Sequence, residues 1–240
     1  WQAFDFQTQC WQAFLDGYSG LVHAQTGNGK TYAVWLAPVL KYLKEKPHYK
    51  KLKSTEPIRV LWITPLRALA NDVEKALKEP IEFFSLPWSV QSRTGDTKQS
   101  IRRKQKEQLP TCLITTPESL SLMLADPKFR DKFKSLESII IDEWHELLSS
   151  KRGVQTELCL ARLKRFFPDL RIWGMSATIG NLEEACDVLC GPTHLHRKII
   201  KGVSDKKIEI ETLYPDEMET YPWSGHLGLH LIDKVIEKIH

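Results

Sequence analysis

The sequence has few cysteines, and their pattern excludes a disulfide scaffold. The cysteines are scattered and odd in number, namely Cys10, Cys112, Cys159, Cys186 and Cys190. That usage is typical of proteins that stay in a reducing cytoplasm. A zinc site could be imagined from Cys186, Cys190, His194 and His196. We favour a structural interpretation, in which free cysteine behaves as a small hydrophobe, because one face of a predicted helix carries Leu182, Ala185, Cys186, Leu189 and Cys190.

The sequence also lacks a long apolar run and a large excess of charge. No apolar run is long enough to span a membrane, and no charged, apolar and small-residue series opens the chain as in a secretory signal. We therefore expect a cytoplasmic protein with no membrane partner. The net charge of +4 permits an anionic partner without requiring one. Basic residues cluster in segments 41–53 and 101–106, and for 41–53 we favour a solvated insertion over a nucleic-acid contact.

Short apolar runs alternate with helical patterns along the chain, and this alternation predicts the fold class. The apolar runs are SGLVHA, RVLWITP, WSVQSRTG, TCLITTP, SIIIDE and RIWGMSAT. A helical pattern follows each run, with helices expected to begin near Lys30, Leu66 and Val154. This repeat predicts an α/β fold with a mainly parallel sheet and helices on both faces. The unbroken run 139–141 is typical of a central strand.

Ligands of such sheets bind at the carboxyl ends of the strands. The segments that close or follow the apolar runs are polar or rich in glycine: AQTGNGKT, TPLRAL, TGDT, TTPESL, DEWH and SAT. We therefore predict that these loops form the working edge of the sheet.

The segment AQTGNGKT nearly fits the phosphate-loop pattern G-x-x-x-x-G-K-[ST], with Ala24 in place of the first glycine. Backbone N–H groups of such a loop point inward at a helix N-terminus and bind phosphate oxygens. Lys30 is placed to reach the β- and γ-phosphates of a nucleotide, and the Thr31 hydroxyl to ligate Mg²⁺. Gly27 and Gly29 supply the unusual backbone angles. The alternative is a glycine turn that only caps a helix. We predict a working loop, since the Cβ of Ala24 can point away from the phosphates.

The segment IIIDEWH places two adjacent carboxylates at the end of a buried strand, which is costly unless a cation or a reaction needs them. We expect Asp142 to hold Mg²⁺ through water and Glu143 to orient and deprotonate the attacking water. On a strand neighbouring the phosphate loop, this pair indicates hydrolysis. The alternative is a pair that caps the next helix. His145 belongs either to this site or to the surface of a helical turn.

Taken together and in this order, AQTGNGKT, TPLRAL, TTPESL, DEWH and SAT resemble motifs I, Ia, Ib, II and III of superfamily 2 helicases. DEWHEL further resembles the DExH branch of Lhr-type (large helicase-related) proteins, which includes the ligase-associated DExH-box DNA helicases. The opening FDFQTQCW resembles the adenine-reading Q motif of that group. The resemblance covers essentially the whole chain and implies a RecA-like P-loop NTPase domain.

The resemblance implies a role for each matching residue. Gln7 is expected to hydrogen-bond adenine with Phe4 nearby, and the triphosphate of ATP is expected to contact Thr26, Gly27, Asn28, Gly29, Lys30 and Thr31. Coupling between nucleotide and nucleic acid is expected from His145, Ser176 and Thr178. A single strand is expected to run along Pro65, Leu66, Arg67, Gly95, Thr116, Pro117 and Glu118. Loop amides and Arg67 offer phosphate contacts without reading bases, as a translocating motor requires.

A departure from the family concerns a second RecA-like domain, whose Q-x-x-G-R-x-x-R-like motif carries arginines that complete the site. After Thr178 the sequence has only one arginine, Arg197, and it lies in no such motif. The chain begins at Trp1 and stops inside a predicted amphipathic helix, so we expect a piece of a longer protein. We predict a RecA-like domain over 1–215 and a lead-in to a second domain over 216–240. This piece, expected to be monomeric, should bind ATP and Mg²⁺ but hydrolyse ATP very slowly.

We favour the first motor domain of an ATP-dependent DNA helicase that moves on single-stranded or partly duplex DNA. The resemblance implies DNA repair, ligase or nuclease partners and 3′-to-5′ polarity, none of which follows from spacing or composition. A nucleotide-gated nucleic-acid binding module is a second interpretation, although such a module could dispense with Glu143. An RNA-directed DExH motor is a third interpretation. Proteins usually distinguish RNA from DNA by contacts to the 2′-hydroxyl, and no residue of the sequence indicates whether such a contact is made.

Overall fold

The structure is a computed structural model that describes residues 2–51, 55–191, 196–202, 212–213 and 231–239. The chain divides into two compact units, residues 1–204 and residues 205–240. The predicted boundary between residues 215 and 216 lies outside the described residues. In the second unit, helix α10 covers Ile232–Ile239, in agreement with the amphipathic pattern.

The first unit is built on a seven-stranded sheet in the order β3-β4-β2-β5-β6-β1-β7. Its strand pairs are all parallel. The strands are β1 Ser19–His23, β2 Val60–Ile63, β3 Val90–Arg93, β4 Cys112–Thr115, β5 Ser138–Ile141, β6 Arg171–Ser176 and β7 Arg197–Lys201. The predicted α/β class is therefore confirmed.

Helices cover both faces of this sheet, as predicted. One face packs against α1 Asp5–Leu15, α2 Lys30–Glu45 and α3 Ala70–Phe83. The other face packs against α5 Pro117–Leu124, α6 Phe129–Phe133, α7 Trp144–Leu147, α8 Lys151–Phe166 and α9 Leu182–Cys190. Helix α4 Gln99–Glu107 is mostly exposed, and its buried residue is Gln105. A short 3-10 helix covers Tyr49–Lys51.

Alternating residues of the central strands fill two cores, one on each face of the sheet. On β5, Ile140 lies in the cluster beside α2, whereas Ile139 and Ile141 lie in the opposite cluster. All three side chains are fully buried, and burial of each stabilises the fold by about 1.5–3 kcal/mol. This two-sided burial explains the unbroken apolar run, and it places the residues that follow β5 at the edge between the two helical layers.

Strand β7 and helix α3 differ from the sequence prediction. The pattern does not predict β7, because only Ile199 and Ile200 of that strand are apolar. Helix α3 begins at Ala70 rather than near Leu66. The reason is a turn over residues 66–69, in which N–H groups donate to carbonyls three residues earlier.

Helix α8 also differs in its start, which is Lys151 rather than about Val154. Ser150 caps the helix, because its Oγ accepts a hydrogen bond from the N–H of Gly153 at 3.1 Å. The cap lies outside the apolar pattern and therefore escapes a prediction based on periodicity. No described helix, α8 included, is long and apolar enough to cross a membrane.

Two lysines of the segment 41–53, Lys41 and Lys46, are tied to the domain by ion pairs. Lys41 Nζ lies 2.8 Å from Glu45 and 2.7 Å from Glu137, and Lys46 Nζ lies 2.8 Å from Glu56. The expected solvated insertion is therefore wrong for Lys41, whose side chain is 18% exposed. Residues 52–54 lie outside the described part of the chain.

Candidate functional site

The phosphate loop connects the end of β1 to the start of α2. Gly27 and Gly29 adopt φ angles of 82° and 78°, in the left-handed region that favours glycine. The Cβ of Ala24 is buried in the core cluster that also contains Phe6, and a Cβ added to Gly202 would lie 2.6 Å from it. This packing is consistent with the prediction that the Cβ points away from the phosphates.

Lys30 is the first residue of α2, and its ammonium group lies inside the loop. Lys30 Nζ donates a 2.7 Å hydrogen bond to the carbonyl oxygen of Ala24, and the residue is 8% exposed. Burial lowers the pKa of Lys30, while the carboxylates of Glu143 and Asp142 oppose that lowering. Lys30 therefore faces the acidic pair across the edge of the sheet, although no direct ion pair joins them in the described structure.

Gln7 of α1 is buried and joined to the phosphate loop. Its Nε2 donates to the carbonyl oxygen of Gly29 at 3.0 Å, and its Oε1 accepts from the N–H of Phe4 at 3.0 Å. Phe4 is 57% exposed and stacks on Phe6 with ring centroids 6.1 Å apart. The residues predicted to read adenine thus lie together beside the loop, and Gln7 fixes the loop's backbone.

Asp142 and Glu143 follow the last residue of β5. Asp142 Oδ1 accepts a 3.0 Å hydrogen bond from the N–H of Glu143. Burial, and next the charge of Glu143, raise the pKa of Asp142 to about 6. Glu143 has φ 43°, a left-handed conformation that costs a non-glycine residue about 1–3 kcal/mol and clusters at functional sites.

The carboxylate of Glu143 is incompletely satisfied by the protein. Its Oε2 is buried and has no hydrogen-bond partner among the described residues, with His145 Nδ1 3.4 Å away. An ionised buried oxygen of this kind is costly unless a further donor reaches it. The position therefore suits a carboxylate that receives a proton from a bound water.

His145 and Ser176, two of the residues predicted to couple nucleotide and nucleic acid, are in contact at the edge of the sheet. His145 Nδ1 lies 3.1 Å from Ser176 Oγ, and the N–H of Thr178 donates to the same oxygen at 3.3 Å. Strand β6, which ends at Ser176, lies between β1 and β5. The predicted direct neighbourhood of the phosphate-loop strand and the Asp142 strand is therefore wrong, because the parallel connections insert β6 between them.

The predicted strand-binding loops after β2 and β3 are in contact. A Cβ added to Gly95 would lie 2.7 Å from Nη1 of Arg67, so the guanidinium packs on the bare backbone of that glycine. Pro65 is buried, whereas Leu66 is 47% exposed at the same edge. The loops after β2 and β3 thus form one surface with a cation on it.

Helix α5 begins directly after β4 with Thr116 at its N-cap and Pro117 in its first turn. Glu118 in the same turn receives hydrogen bonds from Arg152 of α8, at 2.5 Å from Nε and 3.3 Å from Nη2. Burial alone would raise the pKa of Glu118, but its bonds to Arg152, its own backbone and Thr116 leave that pKa lowered. Glu118 is therefore an ionised partner of an arginine at this edge.

The sequence does not predict the roles of two arginines at this edge. Arg152 holds Glu118, and Arg102 of α4 donates from Nη2 to the carbonyl oxygens of Thr94, at 2.8 Å, and Gly95. Arg102 comes from the basic run 101–106, which is typical of a solvated surface, and neither arginine lies in a motif. A contact between side chains from distant segments leaves no signal in a single sequence.

The oxygen atoms near the phosphate loop fit a magnesium ion. Mg²⁺ is usually held by few protein oxygens together with water and phosphates, and the Thr31 hydroxyl and Asp142 carboxylate supply such oxygens. Among the described residues, no group of three His, Cys, Asp or Glu could hold a metal. Cys186 and Cys190 are free and buried on α9, and His194 lies outside the described residues.

The parallel sheet and its loop edge define a P-loop NTPase domain of RecA-like type that carries helicase motifs. Residues 4–185 match the family model described as DEAD/DEAH box helicase. The chain belongs to this family.

Individual relatives support the predicted resemblance to Lhr-type proteins. The chain is 36% identical to the ATP-dependent helicase Lhr-Core of Methanocaldococcus jannaschii over 237 residues, which cover 93% of this chain and 27% of the relative. Helicase Lhr of Mycobacterium smegmatis, solved with ssDNA and AMP-PNP, matches at TM-score 0.69 and 34% identity over 85% of this chain and 26% of that one. The DUF1998 helicase MrfA bound to DNA matches at TM-score 0.70 and 25% identity over 83% of this chain and 27% of that one. The chain thus spans about a quarter of the length of these proteins.

Proposed function

We propose that this chain is the ATP-binding motor domain of an ATP-dependent DNA helicase or translocase. The observation that carries the proposal is that one edge of the sheet holds Lys30 in the phosphate loop, the Asp142–Glu143 pair whose charges act on Lys30, and the His145–Ser176 hydrogen bond. A nucleotide site on the same sheet edge as the predicted strand-binding loops is what a motor needs. DNA is favoured over RNA because the Lhr relative and MrfA were solved with DNA.

In the nucleotide site, the backbone N–H groups of residues 26–31 bind the triphosphate, and Lys30 exchanges the Ala24 carbonyl for a phosphate oxygen. Asp142 and Thr31 would hold a Mg²⁺ ion, which would neutralise charge on the phosphates. Glu143 orients a water and accepts its proton through the oxygen that lacks a partner. Gln7 hydrogen-bonds the adenine.

On the nucleic-acid side, a single strand lies along the loops after β2, β3 and β4. Its phosphates contact Arg67 and the backbone N–H groups of Pro65–Arg67, Gly95 and Thr116–Glu118, excepting the prolines, which have no N–H. Glu118 serves this surface by holding Arg152, since a carboxylate repels phosphate. His145, Ser176 and Thr178 couple the two ligands.

Hydrolysis by these residues alone is expected to be very slow. No finger arginine motif occurs in the sequence after Thr178, and such an arginine contributes about 10³- to 10⁵-fold in related phosphoryl-transfer enzymes. The chain is further proposed to be a monomer in the cytoplasm. A role in DNA repair beside a ligase or nuclease completes the proposal and rests on resemblance.

The test is the ATPase rate with and without single-stranded DNA. It is measured on these 240 residues, on a chain that continues into a second RecA-like domain, and on Glu143→Gln in both. Stimulation by DNA in the longer chain only, abolished by Glu143→Gln, is the expected result. Equal and unstimulated rates in both chains would favour a nucleotide-gated binding module. Competition between matched DNA and RNA oligonucleotides separates the two kinds of motor.

A further inference from the structure

Arg93, the last residue of the edge strand β3, carries an uncompensated charge. Its guanidinium makes no hydrogen bond or ion pair with any side chain in the part of the chain that the structure describes. Burial lowers the pKa of Arg93, and the positive charge of Arg102 beside it adds to that lowering. Two neighbouring like charges, one of them partly desolvated, are costly without a counter-ion. Such an arrangement is typical of a site whose anion arrives as a ligand.

Arg93 lines a cavity of about 240 Å³ between α4 and the helices α5 and α6. Lys106 and Lys132 also line it, and the acidic residue of the cavity, Asp126, is paired with Lys132 at 2.5 Å. The positive charges of Arg93 and Lys106 therefore have no acidic partner among the residues that line the cavity. The cavity has room for a hydrated phosphodiester, since a water occupies about 30 Å³ of the liquid.

The position of Arg93 joins it to the predicted strand path. It directly precedes Thr94 and Gly95 in the chain, and its carbonyl oxygen accepts a 2.8 Å hydrogen bond from the Thr115 hydroxyl, next to Thr116. A strand that passes from the start of α5 to the Gly95 loop therefore runs past the end of β3, where Arg93 lies. Because phosphates repeat along such a strand, Arg67 and Arg93 could each contact a different phosphate.

We propose that the cavity between α4 and α5 is an additional phosphate site, in which Arg93 and Lys106 bind the backbone of the strand. This inference rests on the proposed function, because the strand must already lie on the loops after β3 and β4. It also assigns a role to the basic run 101–106. Arg102 holds the Gly95 loop, Lys106 faces the cavity, and Arg103 points to solvent on the same helix.

The experiment is a titration of the chain into a fluorescein-labelled oligodeoxythymidylate, followed by anisotropy at several salt concentrations. Arg93→Gln and Lys106→Gln are each expected to weaken binding several-fold and to reduce the salt dependence by about 0.7 per lost phosphate contact. Arg103→Gln removes the same charge from outside the cavity and is expected to bind as the unaltered chain does. Arg93→Lys keeps the charge and is expected to restore most of the affinity. Lys106 is exposed, so Lys106→Gln tests the site without disturbing the core.

The outcomes separate this inference from the proposed function. Equal weakening by Arg103→Gln and Arg93→Gln would mean a general charge effect and would overturn the site. Loss of binding in Arg67→Gln with none in Arg93→Gln or Lys106→Gln would overturn the site and leave the motor proposal standing. Failure of the unaltered chain to bind the oligonucleotide would remove both. Oligoglutamate that binds the unaltered chain but not Arg93→Gln, with DNA binding equal in both, would assign the cavity to an acidic protein segment instead.

Discussion

Ser176 Oγ lies 3.1 Å from Nδ1 of His145, and this contact joins the end of β6 to the helix that follows the acidic pair. Ser176 is fully buried and also accepts the N–H of Thr178. A movement of Glu143 or His145 can therefore be transmitted to the loop after β6 through the Ser176 hydroxyl. Because β6 lies between β1 and β5, the same hydroxyl is close to both halves of the nucleotide site.

Ser176→Ala is expected to uncouple the two ligands without removing either site. The affinity for AMP-PNP should stay unchanged, because Ser176 makes none of the proposed phosphate contacts. The effect of AMP-PNP on DNA affinity should shrink, and the loss of two buried hydrogen bonds should lower the free energy of unfolding by about 1–3 kcal/mol. Anisotropy with and without AMP-PNP, together with urea unfolding, measures these quantities. Ser100→Ala, an exposed serine on α4, is the control. A full nucleotide effect in Ser176→Ala would contradict the coupling role.

Glu118 and Arg152 are expected to act on DNA as a unit. Glu118→Ala should weaken DNA binding, although it removes a negative charge, because Arg152 loses the hydrogen bonds that orient it. Arg152→Gln should weaken binding at least as much. When Arg152→Gln is already present, adding Glu118→Ala should cause no further loss of DNA affinity. A double-mutant cycle detects this dependence.

Tighter DNA binding by Glu118→Ala would instead show that the carboxylate only repels the strand. A matched control is Lys41→Gln with Glu45→Ala, a pair near the end of α2 that is joined at 2.8 Å. Helix α2 begins at the phosphate loop, so its last turn lies away from the strand-end loops, and the Lys41–Glu45 cycle should show a smaller coupling in DNA affinity than the Glu118–Arg152 cycle does.

Asp142 is expected to make the metal-free protein less stable as the pH rises. Its folded pKa of about 6 exceeds the value of about 3.9 for an unfolded aspartate, so the folded chain binds the proton more tightly. The contribution therefore falls between about pH 4 and pH 6, by about 3 kcal/mol in total. Urea unfolding of the unaltered chain and Asp142→Asn, in chelator across this range, isolates the effect. Parallel curves for the two proteins would refute it.

The sequence predicts the local chemistry of the site well. The phosphate loop, the acidic pair and the row of strand-end loops are contiguous segments, so their residue types carry the information directly. The sheet follows for the same reason, because each central strand such as Ile139–Ile141 is a continuous apolar run. Ala24 is compatible with a phosphate loop because it directly follows β1 and its Cβ packs against the protein.

What the sequence does not predict depends on contacts between distant segments. Gln7 is 22 residues from the Gly29 carbonyl that it binds, and Arg152 is 34 residues from Glu118. The insertion of β6 between β1 and β5 is a property of strand order, which no single strand encodes. Strand β7 was missed because its charged residues outnumber its apolar ones.

Gly95→Ala is expected to weaken DNA binding while leaving the fold intact. The added Cβ would lie 2.7 Å from Nη1 of Arg67, the end of a flexible side chain. The arginine can move aside, so the free energy of unfolding should change by no more than about 0.5 kcal/mol. Because the guanidinium leaves the strand-binding edge, the affinity for an oligodeoxythymidylate should fall several-fold.

Gly20→Ala is the contrasting variant, since its Cβ would meet the backbone oxygen of Lys198 at 2.0 Å. Overpacking of this kind costs about 1–3 kcal/mol, and here it presses β1 away from β7. If Gly95→Ala binds DNA as the unaltered chain does, the guanidinium of Arg67 is not a strand contact and the edge must bind phosphate through its backbone alone.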